Sequence, residues 1–496
     1  MLISKPKFTL ALAITFALSG CSVMRSYDDE LKQTVDLVVH GQVPQAIQQL
    51  DSNNTNNDKD LLYYFEKGTL QRFDNKYKDS VTTWLSADHL VNEWENEAKI
   101  RAGAILENLG AVTLNDKTRR YDGHDYEKVM LSTQLALNHL LNGDWDFART
   151  EIKKTHEREA IIAEVRAKET DAIEKESREK GIGTTFKDLN GYPVETLNSP
   201  EITSLKNGFQ SAFSHYLAGF VYEALGEPSL ASAGYRQAIE LRPNIKILED
   251  GLANLDSRPR QHKPNETDVL MVVENGVAPS LSSMMIPIPV IYKGLGVIPI
   301  SFPILHSDST HTAPPNLVSV DNTNSQSLAM VTSLDAMSKR ALKDDMPGMI
   351  VRGILRAAVK TASQQALMSS NNSYAMLAGV ALNAVNVITE SADERTWRTL
   401  PSAINVARFS IPTGKHEFSI GSNKKTLDIN GAHAVVVARV IGNQVYWSQP
   451  VYTAKMPPNV MTTPAPQMIE PVIEPAKSKT TGKKVRPSSN KKRSKK

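Results

Sequence analysis

The stretch Ala212–Pro243, AFSHYLAGFVYEALGEPSLASAGYRQAIELRP, decides the fold of the first half of the chain. Counted from Ala212, the small residues Gly219, Ala231 and Ala238 stand at positions 8, 20 and 27, and Pro243 stands at position 32. Small residues at the first two of these positions allow two helices to approach closely, and the proline ends the second helix. The stretch therefore predicts a pair of closely packed helices.

Earlier residues repeat this pattern with a period of 34 residues, in blocks that begin at residues 27, 61, 95 and 129. The matching residues of three blocks are Gly41, Val43, Ala46, Gly68, Tyr77, Ser80, Trp84, Ala87, Ala136, Gly143, Trp145 and Ala148. The third block is degenerate beyond Ala102. The pattern resembles the tetratricopeptide repeat and predicts an α-solenoid over residues 27–250. Its aromatic residues Tyr77, Trp84 and Trp145 are candidate partner-binding residues.

A long insertion near residues 151–200 separates the fourth block from the unit at Ala212. The stretch Glu151–Lys180 is rich in Glu, Lys and Arg, and Gly181 and Gly183 follow it. This composition predicts a long helix that continues the second helix of the fourth unit. Such a helix either protrudes as an arm for a partner or lies over the solenoid with one face solvated, and we favour the second interpretation.

The second half changes character after a polar stretch, residues 251–267, that predicts a domain boundary. We predict a strand over 268–274, proline-rich edge strands over 285–305, and a loop over 306–327. Helices are expected over 327–346, with Pro347 interrupting, and over 348–366, followed by an apolar helix at 374–389. Five strands at 403–411, 415–420, 425–428, 433–440 and 443–449 fit a β-meander. Residues 268–452 should therefore form a mixed α+β domain with an antiparallel sheet.

The amino-terminal residues have the pattern of a secretion signal. Lys5 and Lys7 precede an apolar run that ends at Leu18–Ser–Gly–Cys21, which contains the single cysteine. The run is too short to span a bilayer and resembles the lipobox of bacterial lipoproteins. That resemblance implies cleavage after residue 20, lipidation of Cys21 and a tether over 21–26. Ser22 implies sorting to the outer membrane, with the protein facing the periplasm; the alternative is an ordinary signal peptide with a chance cysteine.

The charge is concentrated at the other end of the chain. The formal net charge is +3, yet the last twenty residues, 477–496, contain ten Lys or Arg and no acid. The rest of the chain is therefore acidic, and nucleic acid is an unexpected partner. We predict that 453–496 form a disordered proline-rich linker and basic tail. Its possible targets are anionic lipid, lipopolysaccharide or the cell wall, unless the tail only increases solubility.

Catalytic motifs are poorly represented in the sequence. It lacks a Gly-x-Ser-x-Gly elbow, a phosphate-binding loop and a His-Glu-x-x-His helix. His306, Asp308 and His311 have no known metal-site spacing and are expected to belong to a polar loop. We therefore predict no enzyme activity, no metal and no cofactor.

Asp393, Arg395 and Trp397 form the most informative polar and aromatic group. Arg and Trp are preferred at protein-binding hot spots, so these three are candidate partner-binding residues. The same residue types suit a buried ion pair and a core tryptophan that joins helix to sheet, and we favour this structural alternative.

The surrounding residues resemble a group of largely uncharacterised bacterial lipoproteins. The similarity is carried by Glu390–Pro401 (ESADERTWRTLP), Val406–Arg408, Pro412-x-Gly414-x-His416, Ile286–Pro289, Tyr126-Glu127-x-Val129, Ala136–Asn138 and Gly143–Asp144. It extends to about residue 452 and implies tetratricopeptide-like repeats followed by a C-terminal domain. The resemblance implies an architecture and a location but no reaction.

These observations predict a lipid-anchored scaffold or adaptor that binds envelope proteins on the concave face of its solenoid, in envelope assembly. One alternative is a subunit of an envelope export or pore complex, with helices of 348–389 lining an oligomer. A cell-wall enzyme that depends on Asp393 or His416 is a weaker alternative.

Overall fold

The fold was analysed in a computed structural model that describes residues 27–54, 59–101, 120–184, 189, 191–290, 296–307, 314–322, 324–368 and 391–450. The predictions for residues 1–26, for the apolar segment 374–389 and for the tail 453–496 lie outside these residues. Most of the degenerate third block lies outside them as well.

The first half of the chain is helical. Its helices, together with one later helix, are α1 (Tyr27–Val39), α2 (Val43–Asn53), α3 (Leu61–Phe73), α4 (Tyr77–Arg101), α5 (Asp125–Leu141), α6 (Trp145–Lys180), α7 (Pro200–Thr203), α8 (Ala212–Ala224), α9 (Pro228–Leu241), α10 (Lys246–Ala253), α11 (Arg258–Gln261) and α12 (Leu334–Met368). In the units that start at 27, 61, 129 and 212, the second helix begins at position 17: Val43, Tyr77, Trp145 and Pro228. The predicted register is therefore confirmed for these four units. The first seven positions of the third block instead belong to α4.

Close helix packing within a unit depends on the glycine at position 8. A Cβ atom added to Gly68 would lie 2.3 Å from Nε1 of Trp84, and one added to Gly219 would lie 2.5 Å from the Tyr235 ring. Both aromatic rings occupy position 24 of their units and are fully buried. Ser80 at position 20 donates a hydrogen bond to the Gly68 carbonyl at 2.6 Å. The small residues identified in the sequence are therefore the points where the two helices touch.

The charged insertion lies over the solenoid rather than protruding from it. Helix α6 runs unbroken to Lys180, and Gly181 ends it in the left-handed conformation, with φ 61°. It packs against α4, α5, α8 and α12. Arg158 of α6 is buried and donates to Asp88 at 2.9 Å and to the Lys128 carbonyl at 3.0 Å. Its burial agrees with the interpretation that the helix covers the repeats.

The strands that the structure describes form three sheets. They are β1 (Glu266–Asn275), β2 (Ser280–Val290), β3 (Gly296–His306), β4 (Leu317–Val320), β5 (Asn324–Ser327), β6 (Ala329–Ser333), β7 (Ala403–Pro412), β8 (Gly414–Ile420), β9 (Asn423–Ile429), β10 (His433–Ile441) and β11 (Gln444–Ser448). The main sheet has the order β11-β10-β1-β7-β6, a second has β5-β4-β8-β9, and β2 and β3 form a hairpin. All strand pairs are antiparallel except β1 with β10, which is parallel.

The main sheet is the middle layer of the molecule. On β1, Leu270 and Val272 join the core that contains the repeat helices, whereas Val269, Met271 and Val273 join the core beneath the second sheet. Successive residues of a strand point to opposite faces, so a strand buried on both faces needs an uninterrupted apolar run. The predicted strand 268–274 has such a run.

Three predictions about the strands of the second half are wrong. The predicted loop 306–327 contains β4 and β5, because Val318 and Val320 are buried although the surrounding residues are polar. Residues 329–333 form strand β6 rather than the start of a helix. The last five strands do not form a simple meander, because β8 and β9 join the second sheet while β10 pairs with β1.

Pro347 does not end a helix, contrary to the prediction. Helix α12 continues from Leu334 to Met368 through the proline. A proline inside a helix removes one backbone hydrogen bond and introduces a clash with the preceding turn. Met346 before it and Ile350 after it are both buried in the core that includes the hairpin strands. This packing on both sides of the proline holds the helix together.

The fold is therefore a helical-repeat region followed by a mixed α+β region, as predicted. Because the two regions share one hydrophobic core, the division into separate domains at 27–250 and 268–452 stays a prediction.

The glycine contacts give a first testable prediction. We expect Gly68→Ala and Gly219→Ala each to lower the free energy of unfolding by about 1–3 kcal/mol, because the added methyl group meets a buried ring. Urea denaturation followed by circular dichroism measures the change. Gly183→Ala is the control, since no atom lies within 4 Å of its added Cβ. Equal effects in all three variants would contradict the role of position 8.

Candidate partner-binding site

The main sheet covers the side of the solenoid formed by the first helices of the repeat pairs. Helix α3 contacts β11, α5 contacts β10, and α8 contacts β6. Every residue of α5 and α8 is buried. The sequence predicts a protein partner on the concave face of the solenoid. In the structure the chain's own sheet covers the first helices of the repeats, so they are not available to a partner.

The segment 391–402 also enters the solenoid, where a buried carboxylate holds it. Glu127, at the first turn of α5, accepts hydrogen bonds from the Trp397 backbone N–H at 2.7 Å and from the Thr396 hydroxyl at 3.0 Å. Its second oxygen accepts from the His124 backbone N–H at 2.9 Å and from the Tyr121 hydroxyl. The side chain of Glu127 therefore ties two segments that the resemblance had quoted separately, Tyr126–Val129 and Glu390–Pro401.

A second buried carboxylate continues this attachment. Glu66 on α3 accepts from the backbone N–H groups of Arg398 at 2.6 Å and Thr399 at 3.1 Å, and from the Thr399 hydroxyl. Burial raises the pKa of Glu66 to about 7. The indole N–H of Trp397 donates to Thr69 at 3.0 Å, one helical turn after Glu66. The segment is thus fixed by backbone and side-chain groups together.

A buried ionic network joins strand β1 to the same helices. Glu274 of β1 accepts from Gln134 at 2.8 Å and forms an ion pair with Arg72 of α3. Burial opposes ionisation of Glu274, but the charges of Arg72 and Arg439 hold its pKa below the ordinary value. Since a buried charge is tolerated only when it is paired and hydrogen-bonded, this network fixes the position of the sheet on the repeats.

The aromatic candidates for partner binding lie inside the protein. Trp397 stacks on Phe65 with ring centroids 4.3 Å apart and meets Trp84 edge-on at 5.9 Å. Trp84 and Trp397 are 0% exposed, and Tyr77 and Trp145 are 4% and 5% exposed. The structural alternative stated for Trp397 therefore fits its position, and these four rings are not accessible to a partner. Cys21 and Ser22 lie outside the described residues.

Asp393 and Arg395 lie near the surface and pair with each other. The Arg395 guanidinium contacts Asp393 at 2.6 and 2.8 Å and lies over the Tyr121 ring at 5.1 Å. Asp393 also lines a cleft of about 300 Å³. Of the residues singled out in the sequence for partner binding, Asp393 is therefore the one that lines the cleft, and Arg395 is paired with it.

The cleft is bounded by α5, α6, α12, the hairpin and residues 120–124. Its apolar lining includes Ile162, Val165, Leu281, Leu305, Leu342 and Met349, and its charged lining includes Arg120, Asp122, Asp125, Lys128, Arg166, Glu169, Asp345, Arg352 and Asp393. Sequence reasoning missed most of these residues because no motif or spacing connects them. They come from segments more than 200 residues apart.

Most charges of the cleft are matched within it. Arg166 pairs with Asp125, Asp345 and Glu169, and Lys128 contacts Asp125 at 3.0 Å. Burial opposes ionisation of Asp125, but Arg166 and Lys128 lower its pKa. The Lys128 ammonium also lies 3.3 Å from the centroid of the Trp94 ring. Burial raises the pKa of Glu169, and the charges of Arg166 and, more weakly, Arg352 oppose that rise. Among the described residues Arg352 itself makes no direct hydrogen bond or ion pair.

A second cavity of about 500 Å³ lies where the last repeat helices meet the start of β1 and β10. Its lining includes Glu223, Arg258, His262, Asp268 and His433. Among the described residues, no group forms a hydrogen bond with Nδ1 of the buried His433, and burial lowers the pKa of this residue to about 4. The imidazole is therefore neutral at physiological pH.

The other sequence candidates have structural partners. His416 contacts Asp321 at 2.6 Å and the Pro412 carbonyl at 2.7 Å, so both of its ring nitrogens are engaged. His306 contacts Ser282 at 2.6 Å, and Asp308 and His311 fall outside the described residues. In the part of the chain that the structure covers, no cluster of three or more His, Cys, Asp or Glu is arranged to hold a metal ion. None of the described helices combines the length and apolar character needed to cross a bilayer.

The fold and cleft define a helical-repeat protein whose repeats are capped by an α+β sheet region. No protein-family model and no curated protein matches the sequence. A crystal structure of a tetratricopeptide repeat protein from Parabacteroides merdae ATCC 43184 is similar over 47% of this chain and 99% of its own, at 14% identity and a TM-score of 0.13. A likeness at that TM-score adds nothing to what the helix pairs themselves show.

The attachment of segment 391–402 can be tested through Glu127. We expect Glu127→Ala to lower the free energy of unfolding by about 3 kcal/mol or more, because four donors lose a buried acceptor. Limited trypsin digestion should then cut after Arg395 or Arg398 at a faster rate than in the unaltered protein. Glu157→Ala, at an exposed position of α6, is the control. Unchanged cleavage in Glu127→Ala would refute the attachment.

The pH dependence of stability follows from His433. Unfolded His433 takes up a proton below about pH 6.5, but folded His433 does so only near pH 4, so the unfolded state binds more protons between these values. Stability from this residue is complete above about pH 6.5 and declines as the pH falls towards 4. Between pH 7.5 and 5.0 we expect a loss of about 2 kcal/mol that His433→Phe removes.

Urea denaturation at the two pH values measures this loss. The exposed His89 provides the matched control, because His89→Phe also removes an imidazole but should keep the loss that His433 causes. Equal pH dependence in His433→Phe and the unaltered protein would show that His433 does not cause it.

Proposed function

We propose that the protein is a lipid-anchored scaffold of the outer membrane that faces the periplasm and binds envelope protein partners. We infer the anchor from the lipobox-like sequence at Cys21 and the location from Ser22. The resemblance to uncharacterised bacterial lipoproteins with repeat regions supports the same proposal. Envelope assembly is the process that this combination favours.

The observation that carries the partner-binding part is the cleft beside Asp393. Its apolar and charged lining suits a polypeptide segment, because interfaces combine a dry apolar centre with hydrogen-bonded polar groups. Arg352 supplies a cation that acts on Glu169 through space but makes no direct ion pair among the described residues. A carboxylate of the partner would form a direct ion pair with Arg352, and an Arg–carboxylate contact gives both affinity and orientation. We therefore place the partner in this cleft rather than on the covered face of the repeats.

Site-specific crosslinking in native envelope membranes tests this placement. A photo-reactive phenylalanine at Met349 in the cleft should yield a defined protein adduct, whereas the same probe at the exposed Phe147 of the solenoid should not. Adding Arg352→Glu should reduce the Met349 adduct roughly tenfold, because it repels the partner's carboxylate. Lys153→Glu, an exposed charge reversal on α6, is the matched control.

Three results would count against the cleft. One is the same adduct pattern from Met349 and Phe147, and another is an adduct yield that Arg352→Glu does not change. The third is the absence of any adduct from Met349 in membranes that contain the anchored protein.

A further inference from the structure

The β2–β3 hairpin has two apolar faces, of which one is covered. Ile286, Ile288, Ile298 and Ile300 are buried and join a core with Ile350 of α12 and its neighbours. The opposite face presents Met285, Pro287 and Pro289 of β2 and Val297 and Pro299 of β3, all of which are exposed. Pro287 lies across from Pro299 and Pro289 across from Val297, so these side chains form one continuous patch.

The patch lacks charge to an unusual degree for a protein surface. Across the 22 residues Met284–Leu305, Lys293 is the single charged residue in the sequence. Val297 is 67% exposed and Met285 is 44% exposed, which ranks them among the most exposed large apolar side chains of the described residues. Contiguous apolar surface of this kind marks a site of contact with a protein or a membrane.

The edges of the hairpin discriminate between these two partners. On β2, Ser283 and every second residue from it direct the backbone N–H away from β3. The N–H of Ser283 accordingly donates to Glu394 at 3.0 Å. Pro287 and Pro289 belong to the same set of alternate residues and have no N–H. On β3 the same holds for Pro299, which lies across from Pro287, and for Pro303, which lies across from Ser283. A strand from another protein or from a second copy therefore meets few donors at either edge.

The absence of N–H groups at these prolines favours contact with an apolar medium. Unpaired backbone N–H groups are costly in lipid, and proline removes them. A surface without charged groups also avoids the free-energy cost of removing water from them, which would oppose contact with acyl chains. The chemistry of the patch thus suits a lipid surface better than an added strand.

We propose that the outward face of the β2–β3 hairpin docks on the membrane surface, with Met285, Val297 and the intervening prolines in contact with the apolar boundary of the lipid leaflet. This contact adds to the anchor of the proposed function and orients the protein relative to the membrane. It does not depend on the lipid at Cys21, because the patch is a property of the folded chain.

Vesicle binding of the processed chain from residue 21, carrying Cys21→Ser, tests the proposal without the anchor. The probe is a vesicle of zwitterionic phosphatidylcholine at about 0.5 M salt, which screens the basic tail. The unaltered hairpin should sediment with these vesicles. Val297→Glu should weaken binding about tenfold, and Met285→Glu combined with Val297→Glu about a hundredfold, because each buries a charge in the apolar contact.

Phe147→Glu is the matched control, because Phe147 is 62% exposed on the solenoid and lies far from the hairpin in the sequence. It should bind vesicles as the unaltered protein does, and all variants should keep the same circular dichroism spectrum and unfolding midpoint. Equal binding by Val297→Glu and the unaltered protein would overturn the proposal, as would a failure of the unaltered protein to bind. Loss of a dimer in Val297→Glu without loss of vesicle binding would identify a second copy as the occupant.

The two proposals can fail separately. In cells with the lipid anchor intact, Val297→Glu should leave the Met349 crosslink of the scaffold unchanged. Loss of vesicle binding in Val297→Glu with an intact Met349 crosslink supports both proposals. Vesicle binding that Val297→Glu leaves unchanged overturns the membrane contact alone, and a Met349 adduct that Arg352→Glu leaves unchanged overturns the cleft alone.

Discussion

The buried carboxylates of Glu66 and Glu127 accept hydrogen bonds from the backbone N–H groups of three consecutive residues, Trp397, Arg398 and Thr399. A carboxylate removed from water costs several kcal/mol unless donors replace its hydration shell. Here the donors come from a segment more than 260 residues away, so neither the helices nor the segment satisfies its polar groups alone. Trp397 and Leu400 of this segment belong to the core that the repeat helices share with one face of the main sheet. The helical repeats and the sheet are therefore stabilised by each other.

This arrangement changes which surfaces can bind a partner. A solenoid usually offers the face formed by its repeats, but here the sheet and the 391–402 segment cover the first helices. Helix α12 lies beside both proposed contact surfaces, because it forms one wall of the charged cleft and packs on the buried face of the hairpin. One helix thus connects the proposed protein site with the proposed lipid contact. A partner in the cleft and a membrane against the hairpin would be held at a fixed relative orientation, as a scaffold requires.

Local features of the fold were accessible from the sequence, and long-range features were not. The repeat register was predictable because Gly68 with Trp84 and Gly219 with Tyr235 meet within one unit. The strand at β1 was predictable from its unbroken apolar run. Strands β4 and β5 were missed because β4 buries only Val318 and Val320 and β5 buries no residue. The continuity of α12 was missed because packing against the hairpin outweighs the effect of Pro347. The parallel pairing of β1 with β10 joins segments that are far apart in the chain, and so does the cleft. No pattern of residue spacing in a single sequence indicates that such segments come together.

The Asp393–Trp397 group shows why residue type alone does not separate a binding site from a folded interface. Trp and Arg are preferred where two protein surfaces meet, and the physical reasons are the same inside one chain: large apolar area, directional donors and paired charge. In this protein those residues already have partners, because Trp397 stacks on Phe65 and Arg395 pairs with Asp393. A partner-binding site should instead contain charged groups without a direct ion pair, or apolar side chains that remain exposed to solvent. Arg352 in the cleft and the exposed Val297 on the hairpin are such groups, and for this reason they carry the two proposals.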